Sequence, residues 1–510
     1  MSDHYRGARL RRALVHFISG RAVYALGRIV LVLLVVRLLA PDDFGAYMIL
    51  VGVSEMLLQA LSFGILPVGQ RFLPQLIESS SPRDIRRFML WLSALQLLVL
   101  AVVAGLFWTY WGDLLPLVGF NAAQVEQSRP AVWLLVLVPA FRFVAELLEA
   151  LLAQGRAQIA RALMPLGRLG GIGALLFTTT EVTLELIFYI DVLTTAVCLL
   201  LAWFFMIGAL RNVATPETPG PMPVDSMLRH ARHMAGVGLL GAASAPGAIR
   251  IVLANTLGIA ESGLFAFLQS LERLVSRYLP SVLLRGLVRP MMISRSGREH
   301  GTRLMEEGTA LLRKSNLLII AAGSMVIFIG GDRMVSIASG GRFTDAGDTL
   351  LLMLLILGIT SHRLMLEMLM QVLDQTHILR LTALLAPISL GLVWLTADYG
   401  LNVAIVVAAS GTAIANLVTT ARVRHITGSF SSDWPGTARV VLPAAVGAVV
   451  GHLVQDFLGI WGAAVASGIV MIVLLVAAKP FSANELQLVG RGTSGIVKRI
   501  LGPFAREATT

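Results

Sequence analysis

Apolar runs of about 20 residues, each closed by a charged or Pro/Gly-rich break, recur along the whole chain, which is the spacing of membrane-spanning helices. Spans are predicted near 13–39, 43–66, 88–111, 130–153, 160–180 and 184–209, then near 232–254, 260–284, 309–332, 349–373, 380–397 and 400–421. Two more are predicted near 438–456 and 459–478, giving about 14 in all. No run shows the ten-residue alternation of an outer-membrane barrel, so the spans are helices. The stretch Arg37 to Pro74 sets the pattern: an apolar helix ends at Leu39, Pro41-Asp42-Asp43 makes a tight turn, and a second apolar run from Phe44 to about Leu66 travels back. Leu257 to Phe265 opens a span after a similarly short turn, and Gly45 and Gly263 match at the same offset as Arg71 and Arg289. A common offset points to two related halves.

Ala214 to Ser226 reads ATPETPGPMPVDS, with four prolines and no apolar period, and is predicted to be an exposed linker. The expected organisation is an N-terminal lobe at 1–212, a cytoplasmic linker at 213–231 and a C-terminal lobe at 232–424. Residues 425–510 hold the last two spans and a basic cytoplasmic tail. Six spans per lobe is an even number, so the lobes are parallel repeats about an axis along the membrane normal.

Composition agrees: 56% of residues are hydrophobic and 14% charged, far from a soluble chain. The net charge of +11 reads as topology rather than as a nucleic-acid footprint. Arg6, Arg9, Arg11 and Arg12 precede the first span, Arg83, Arg86 and Arg87 follow the second, and a dense basic run follows the eighth. About 29 Lys/Arg fall on one side and about 3 (Arg129, Arg333, Arg342) on the other, which places both termini in the cytoplasm. The first apolar segment holds Arg21 and Arg28 and lacks an A-x-A site, so it is expected to be a retained span. Cys198 is the single cysteine, which excludes internal disulfides.

The segment LLAPDDFGAYMIL, its echo at Gly263, the ADYGLNVAI segment before the twelfth span and the 6 + 6 + 2 layout resemble a known family. It is the polysaccharide transporter branch of the multidrug/oligosaccharidyl-lipid/polysaccharide flippase superfamily, which includes O-antigen and exopolysaccharide repeat-unit flippases. The resemblance covers almost the whole chain through loose local motifs. It implies an all-α polytopic membrane protein of the bacterial cytoplasmic (inner) membrane, V-shaped, with two lobes around a central cavity. Lipid-flipping members place cavity arginines on their first and eighth helices, which Arg28 and Arg273 resemble.

A charge near the bilayer centre costs about 2.5 to 3.5 kcal/mol on insertion scales, so intramembrane charges mark protein-lined, hydrated surroundings. Arg28, Arg142, Arg168, Arg250, Arg273, Arg277 and Arg363 all lie deep in predicted spans. Arg21 lies two turns before Arg28 with Tyr24 on the same stripe, and Arg273 and Arg277 share a face with Gln269. One reading is a cationic site for an anionic substrate such as a lipid pyrophosphate, because guanidinium groups fork onto phosphate oxygens. The other is internal pairing, for which Arg142 with Glu146 and Arg363 with Glu367 have i, i+4 spacing. Arg28, Arg168 and Arg250 have no acidic residue one turn away on their own helices, which favours cavity exposure. Arg21 and Arg161 have a further option, snorkelling to the cytoplasmic headgroups. Among the acidic residues, Glu55 and Asp191 are the least obviously paired and are the candidates for ion coupling. Ser244-Ala-Pro246-Gly247, just before Arg250, is expected to break its helix.

Enzymatic readings fare poorly. There is no G-x-x-x-x-G-K-[ST], none of the three lysines (Lys314, Lys479, Lys498) follows Gly, and there is no H-E-x-x-H. His362, in the tenth predicted span, could serve a membrane acyltransferase or polymerase, but a lone intramembrane His is more often a packed or hydrogen-bonded residue. No cofactor or metal is expected. The expected function is movement of undecaprenyl-pyrophosphate-linked oligosaccharide from the cytoplasmic to the periplasmic leaflet by alternating access. The rivals are a cation-coupled multidrug exporter and a membrane-embedded polysaccharide polymerase or acyltransferase. The expected partners are the anionic lipid-linked oligosaccharide, membrane lipids and proteins of polysaccharide biosynthesis and export, with no nucleic acid.

Overall fold

Backbone polar groups inside a bilayer have no water to bind, so a chain this apolar satisfies them within helices. The computed structural model describes residues 7–151, 153–178, 181–211, 223–243, 245–283, 301–373, 375–427, 433–482, 485 and 502–504, and among these no strand forms. The helices in chain order are α1 Gly7–Leu38, α2 Pro41–Ala60, α3 Ile65–Ser79, α4 Pro82–Leu114, α5 Ala122–Gln127, α6 Ala131–Ala150, α7 Gln154–Thr178 and α8 Leu184–Leu210. They continue with α9 Val224–Ala243, α10 Pro246–Thr256, α11 Ile259–Arg277, α12 Pro280–Leu283, α13 Gly301–Ser339, α14 Gly347–Val372, α15 Thr376–Ala383, α16 Leu385–Thr396, α17 Leu401–Thr427 and α18 Trp434–Ala478. The linker residues 213–222 and the basic run at 284–300 lie outside the described residues.

Helix ends follow local chemistry. Pro41 opens α2 with Asp42 and Asp43 in its first turn, where a carboxylate meets the positive end of the helix. Ser81 caps α4 ahead of Pro82, Asn121 and Gln124 form a capping box on α5, and Asp433 caps α18. The α1/α2 break between Leu38 and Pro41 recurs as the α10/α11 break between Thr256 and Ile259. The two breaks lie at the offset that relates Gly45 to Gly263.

Ten helices among the described residues are long and apolar enough to cross a membrane, or eleven with a bent pair counted as one span. Three of the four spans by which this falls short of 14 have visible causes. α18 carries two predicted spans in 45 residues, and Gly459 at φ 66°, ψ 170° breaks it between them. An unbroken helix of that length would run ~68 Å, about twice the hydrocarbon thickness. α11 carries Glu261, Glu272, Arg273 and Arg277 and fails on charge. The run predicted to continue from Phe44 to Leu66 instead stops at Ala60, and α3 leaves at a bend of 56°. Phe63 and Gly64 adopt left-handed backbone there, with φ 38° and 75°, which no helix can propagate. The break expected before Pro246 does form, and Pro246 becomes the first residue of α10.

Packing divides the chain into two compact units, Met1–Phe267 and Leu268–Thr510. The boundary falls inside α11 and not at the linker 213–231, because α9 and α10 pack on α2 and α3. In the first unit α1 lies along α7, with Pro165 filling the space over Gly27, and α6 packs on α8. Leu73, Leu76, Ile85, Leu147 and Leu148 centre its apolar core. In the second unit α13 is the hub, packed on α14 and on α18, with α17 beyond α14.

Candidate functional site

The first unit draws charged side chains from five helices into one cluster. Arg28 on α1 donates from Nη2 to Glu55 Oε1 on α2 at 2.8 Å, and Arg142 Nη2 on α6 approaches the same oxygen at 3.6 Å. About two turns before Glu55 on α2, Tyr47 donates to Asp191 Oδ2 on α8 at 2.9 Å. Arg168 on α7 brings Nε within 3.1 Å of Asp191 Oδ1 and donates from Nη2 to Thr195 Oγ1 at 3.2 Å. Thr195 is held by its own bond to the Asp191 carbonyl, at 2.6 Å. Tyr24 on α1 stands within electrostatic reach of Arg28, Arg142, Arg168 and Glu55, which joins the two ion-paired groups.

Neither Arg28 nor Arg168 has a carboxylate on its own helix, and both find one on a neighbouring helix. The sequence spacing therefore misdirects for these two, since pairing across a bundle has no i, i+4 signature. Glu55 and Asp191, expected to be the least paired acids, hold these contacts. Arg142 is paired as well, but with Glu55 and not with Glu146, which accepts from Gln70 Nε2 at 2.7 Å. Arg161 forms an ion pair with Glu149 Oε1, to which Gln158 also donates.

Exposure separates the arginines. The side chains of Arg28 and Arg142 remain 24% and 32% exposed despite their pairing, and that of Arg168 12%. Arg250, for which cavity exposure was expected, is 1% exposed. Its Nη1 donates to the Met48 carbonyl on α2 at 2.9 Å, in space left free by Gly52. The cause is the glycine pair Gly52/Gly247, which lets α10 approach α2 backbone to backbone and closes over the guanidinium.

Three of the remaining predicted positions belong to the second unit. Arg363, on α14 in the second unit, pairs with Glu367 at 3.0 Å and donates to Thr382 at 2.7 Å and Thr419 at 3.0 Å, which is the internal-pairing alternative. Arg273 and Arg277 are half-buried on the part of α11 that belongs to the second unit. The side chain of Arg21 lies outside the described residues. Tyr47 and Thr195 were not singled out by sequence. The available signal was weak: a hydroxyl in an otherwise apolar run, and a threonine one turn after an intramembrane aspartate.

Counted by ion-pair contact among the described residues, this partly open group sets three guanidinium groups, Arg28, Arg142 and Arg168, on two carboxylates, Glu55 and Asp191, with Glu146 in electrostatic reach of Arg142. Such a group can accept an anion by exchanging a carboxylate contact for a phosphate contact.

No family model and no curated protein matches the chain. Solved structures do. Lipid II flippase MurJ in an inward closed conformation aligns with a TM-score of 0.63 at 11% identity, covering 96% of this chain and 99% of that one. A multidrug resistance MATE family transporter of the MOP superfamily, in its inward-facing conformation, aligns at 0.61 with 14% identity, covering 81% and 96%. The outward-facing conformation of a multidrug resistance MATE family transporter aligns at 0.51 with 15% identity, covering 83% and 95%. At these identities the likeness is one of fold: an all-helical, multi-pass membrane protein with the helix arrangement these transporters share.

Proposed function

We propose that this chain is a flippase for an anionic lipid-linked oligosaccharide, moving undecaprenyl-pyrophosphate-linked glycan from the cytoplasmic to the periplasmic leaflet by alternating access. The observation that carries the proposal is the cluster of Arg28, Arg142 and Arg168, whose guanidinium groups outnumber Glu55 and Asp191. A pyrophosphate brings at least two negative charges and several acceptor oxygens, which suits planar forks that keep their charge at low dielectric. The fold likeness to lipid II flippase MurJ, which extends over nearly the whole chain, supports a lipid-linked substrate.

The multidrug exporter is the rival that fold likeness also favours. An organic cation would need acidic groups free to receive it, whereas Glu55 and Asp191 are each engaged by arginine. A membrane polymerase or acyltransferase has less support, since among the described residues the cluster contains no histidine and its hydroxyl–carboxylate contact, Tyr47 to Asp191, is also held by Arg168.

The test is reconstitution. Proteoliposomes holding the purified chain and an imposed ion gradient should translocate lipid-linked oligosaccharide without nucleotide. Export of cationic dyes with no movement of the lipid-linked substrate would replace this reading with the exporter.

A further inference from the structure

The bend at Phe63 and Gly64 turns α3 by 56° from α2 and seats it against α9, where a Cβ on Gly64 would overlap the Ala231 carbonyl. About two turns along α3 from the bend, Arg71 reaches the same helix. Its Nη1 donates to His230 Nδ1 at 3.2 Å, and its guanidinium lies 5.5 Å from the centre of the Phe72 ring, which the His230 ring meets edge to face. A guanidinium only donates, so Nδ1 accepts and the hydrogen of a neutral His230 sits on Nε2. For that N–H the described residues supply no acceptor.

His230 is one edge of a basic arc. Arg229, His230, Arg232 and His233 fall on one side of α9 at i, i+3 and i+4 spacing, and all but the half-buried His230 are exposed. Asp225, one turn before Arg229, forms no ion pair with it, and among the described residues no carboxylate pairs with Arg71, Arg229 or Arg232. Like charges gathered in this way repel until an anion joins them. One turn further into the predicted span the same side of α9 becomes apolar and open: nothing lies within 4 Å of a Cβ on Gly236, and Leu239 is 53% exposed. A cationic arc at the end of a span, continued by an uncovered apolar strip, matches the outline of a lipid with an anionic head.

We propose that α3 and α9 form a holding site for the pyrophosphate head of a polyprenyl lipid. Arg71 and the His230 Nε2–H are its fixed donors, Arg229 and Arg232 add charge, and the chain lies over Gly236 and Leu239. A pyrophosphate suits this site better than a phosphodiester, because its two or more negative charges answer three arginines that face Asp225 alone. The choice of a polyprenyl carrier rests on the flippase reading, but the site shares no helix with the Arg28 cluster and its occupancy is measured without transport.

The full chain is purified in detergent with Cys198→Ser and Gly236→Cys, a position with open space for the thiol. Labelling by an uncharged maleimide is timed with and without farnesyl pyrophosphate, which should slow it about tenfold. Inorganic pyrophosphate and phosphatidylglycerol at the same concentration should each protect less. Arg71→Gln should remove the protection and Arg232→Gln weaken it, while Arg28→Gln should leave it in place. The proposal is overturned by no protection from farnesyl pyrophosphate, or by equal protection from inorganic pyrophosphate or phosphatidylglycerol. Protection undiminished in Arg71→Gln overturns it as well, and Arg232→Gln decides in the same way if that variant does not fold. Loss of protection in Arg28→Gln would place the lipid at the other cluster and also overturn it. Vesicles that fail to move lipid-linked oligosaccharide would end the flippase reading and leave this protection standing, and the converse holds as well.

Discussion

Glu55 on α2 stands between Arg28 on α1, at 2.8 Å, and Arg142 on α6, at 3.6 Å, and so ties three helices of the first unit at one carboxylate. Removing its charge leaves two guanidinium groups with their mutual repulsion and less compensation. Glu55→Gln is therefore expected to destabilise the protein, at the low end of the roughly 3 to 5 kcal/mol for breaking a buried pair, since all three groups keep some solvent. Thermal unfolding in one detergent checks this. An unchanged midpoint would show the pairing to be energetically idle.

A second ion-paired centre lies in the second unit, well buried. Lys314 Nζ on α13, fully enclosed, meets Asp433 Oδ2 at 2.6 Å, Glu485 Oε1 at 2.8 Å and the Pro480 carbonyl at 3.0 Å. Asp433 caps the start of α18 and Pro480 follows its end, so a single ammonium holds both ends of the broken helix to α13. Lys314→Met removes the ammonium between two carboxylates, of which Asp433 is 32% exposed, and should cost about 3 kcal/mol, the low end for breaking a buried pair. Limited proteolysis should then cut first near residue 480, and a protease-resistant variant of parental stability would contradict this account.

The close contact of α2 with α11 makes a sharper prediction about glycine. Gly45→Ala drives a methyl into the Ile259 carbonyl and should lower the unfolding midpoint, whereas Gly105→Ala on α4, with open space around it, should be neutral or stabilise the protein by about 0.5 to 1 kcal/mol of helix propensity. The pair of variants separates a tight crossing from a general dislike of larger residues. Equal effects at both positions would do away with the distinction.

Topology is testable with cysteines in a Cys198→Ser background. Asn121 and Thr344 are exposed in loops with few basic residues, and Ser226 is exposed in the first turn of α9, in the segment expected to be cytoplasmic. Cysteines at Asn121 and Thr344 should react with an impermeant thiol reagent applied to whole cells, and one at Ser226 only after lysis. Labelling of the Ser226 position in intact cells would invert the map.

Much of the fold was legible because a bilayer imposes one period and one length. Apolar runs located the helices, Pro246 marked the expected break, and the separation of 438–456 from 459–478 anticipated the break at Gly459, whereas Pro41-Asp42-Asp43, read as a turn, is the first turn of α2. The bend at Phe63 and Gly64 was hidden because an apolar run continues through it, and hydropathy does not register a left-handed residue. The site was legible in its residue types but not in its pairings. Arg28 and Glu55, or Arg168 and Asp191, meet only once the helices are packed. Arg250 was misread for a related reason: its burial depends on two glycines, Gly52 and Gly247, far apart in sequence and adjacent in the fold.

The cluster's role in substrate binding is tested most directly by separating pairing from recognition at Arg28. Binding of purified lipid-linked oligosaccharide and thermal stability are measured together on Arg28→Gln, Glu55→Gln and the double variant. The account predicts that Arg28→Gln weakens binding by about tenfold or more, the worth of one charge-assisted phosphate contact of roughly 1.5 to 3 kcal/mol. It predicts that the double variant recovers stability relative to Glu55→Gln while binding stays weak, because the lost fork is not replaced. A double variant that recovers binding along with stability would contradict it, and would show Arg28 to be a helix tie with no part in holding the anion.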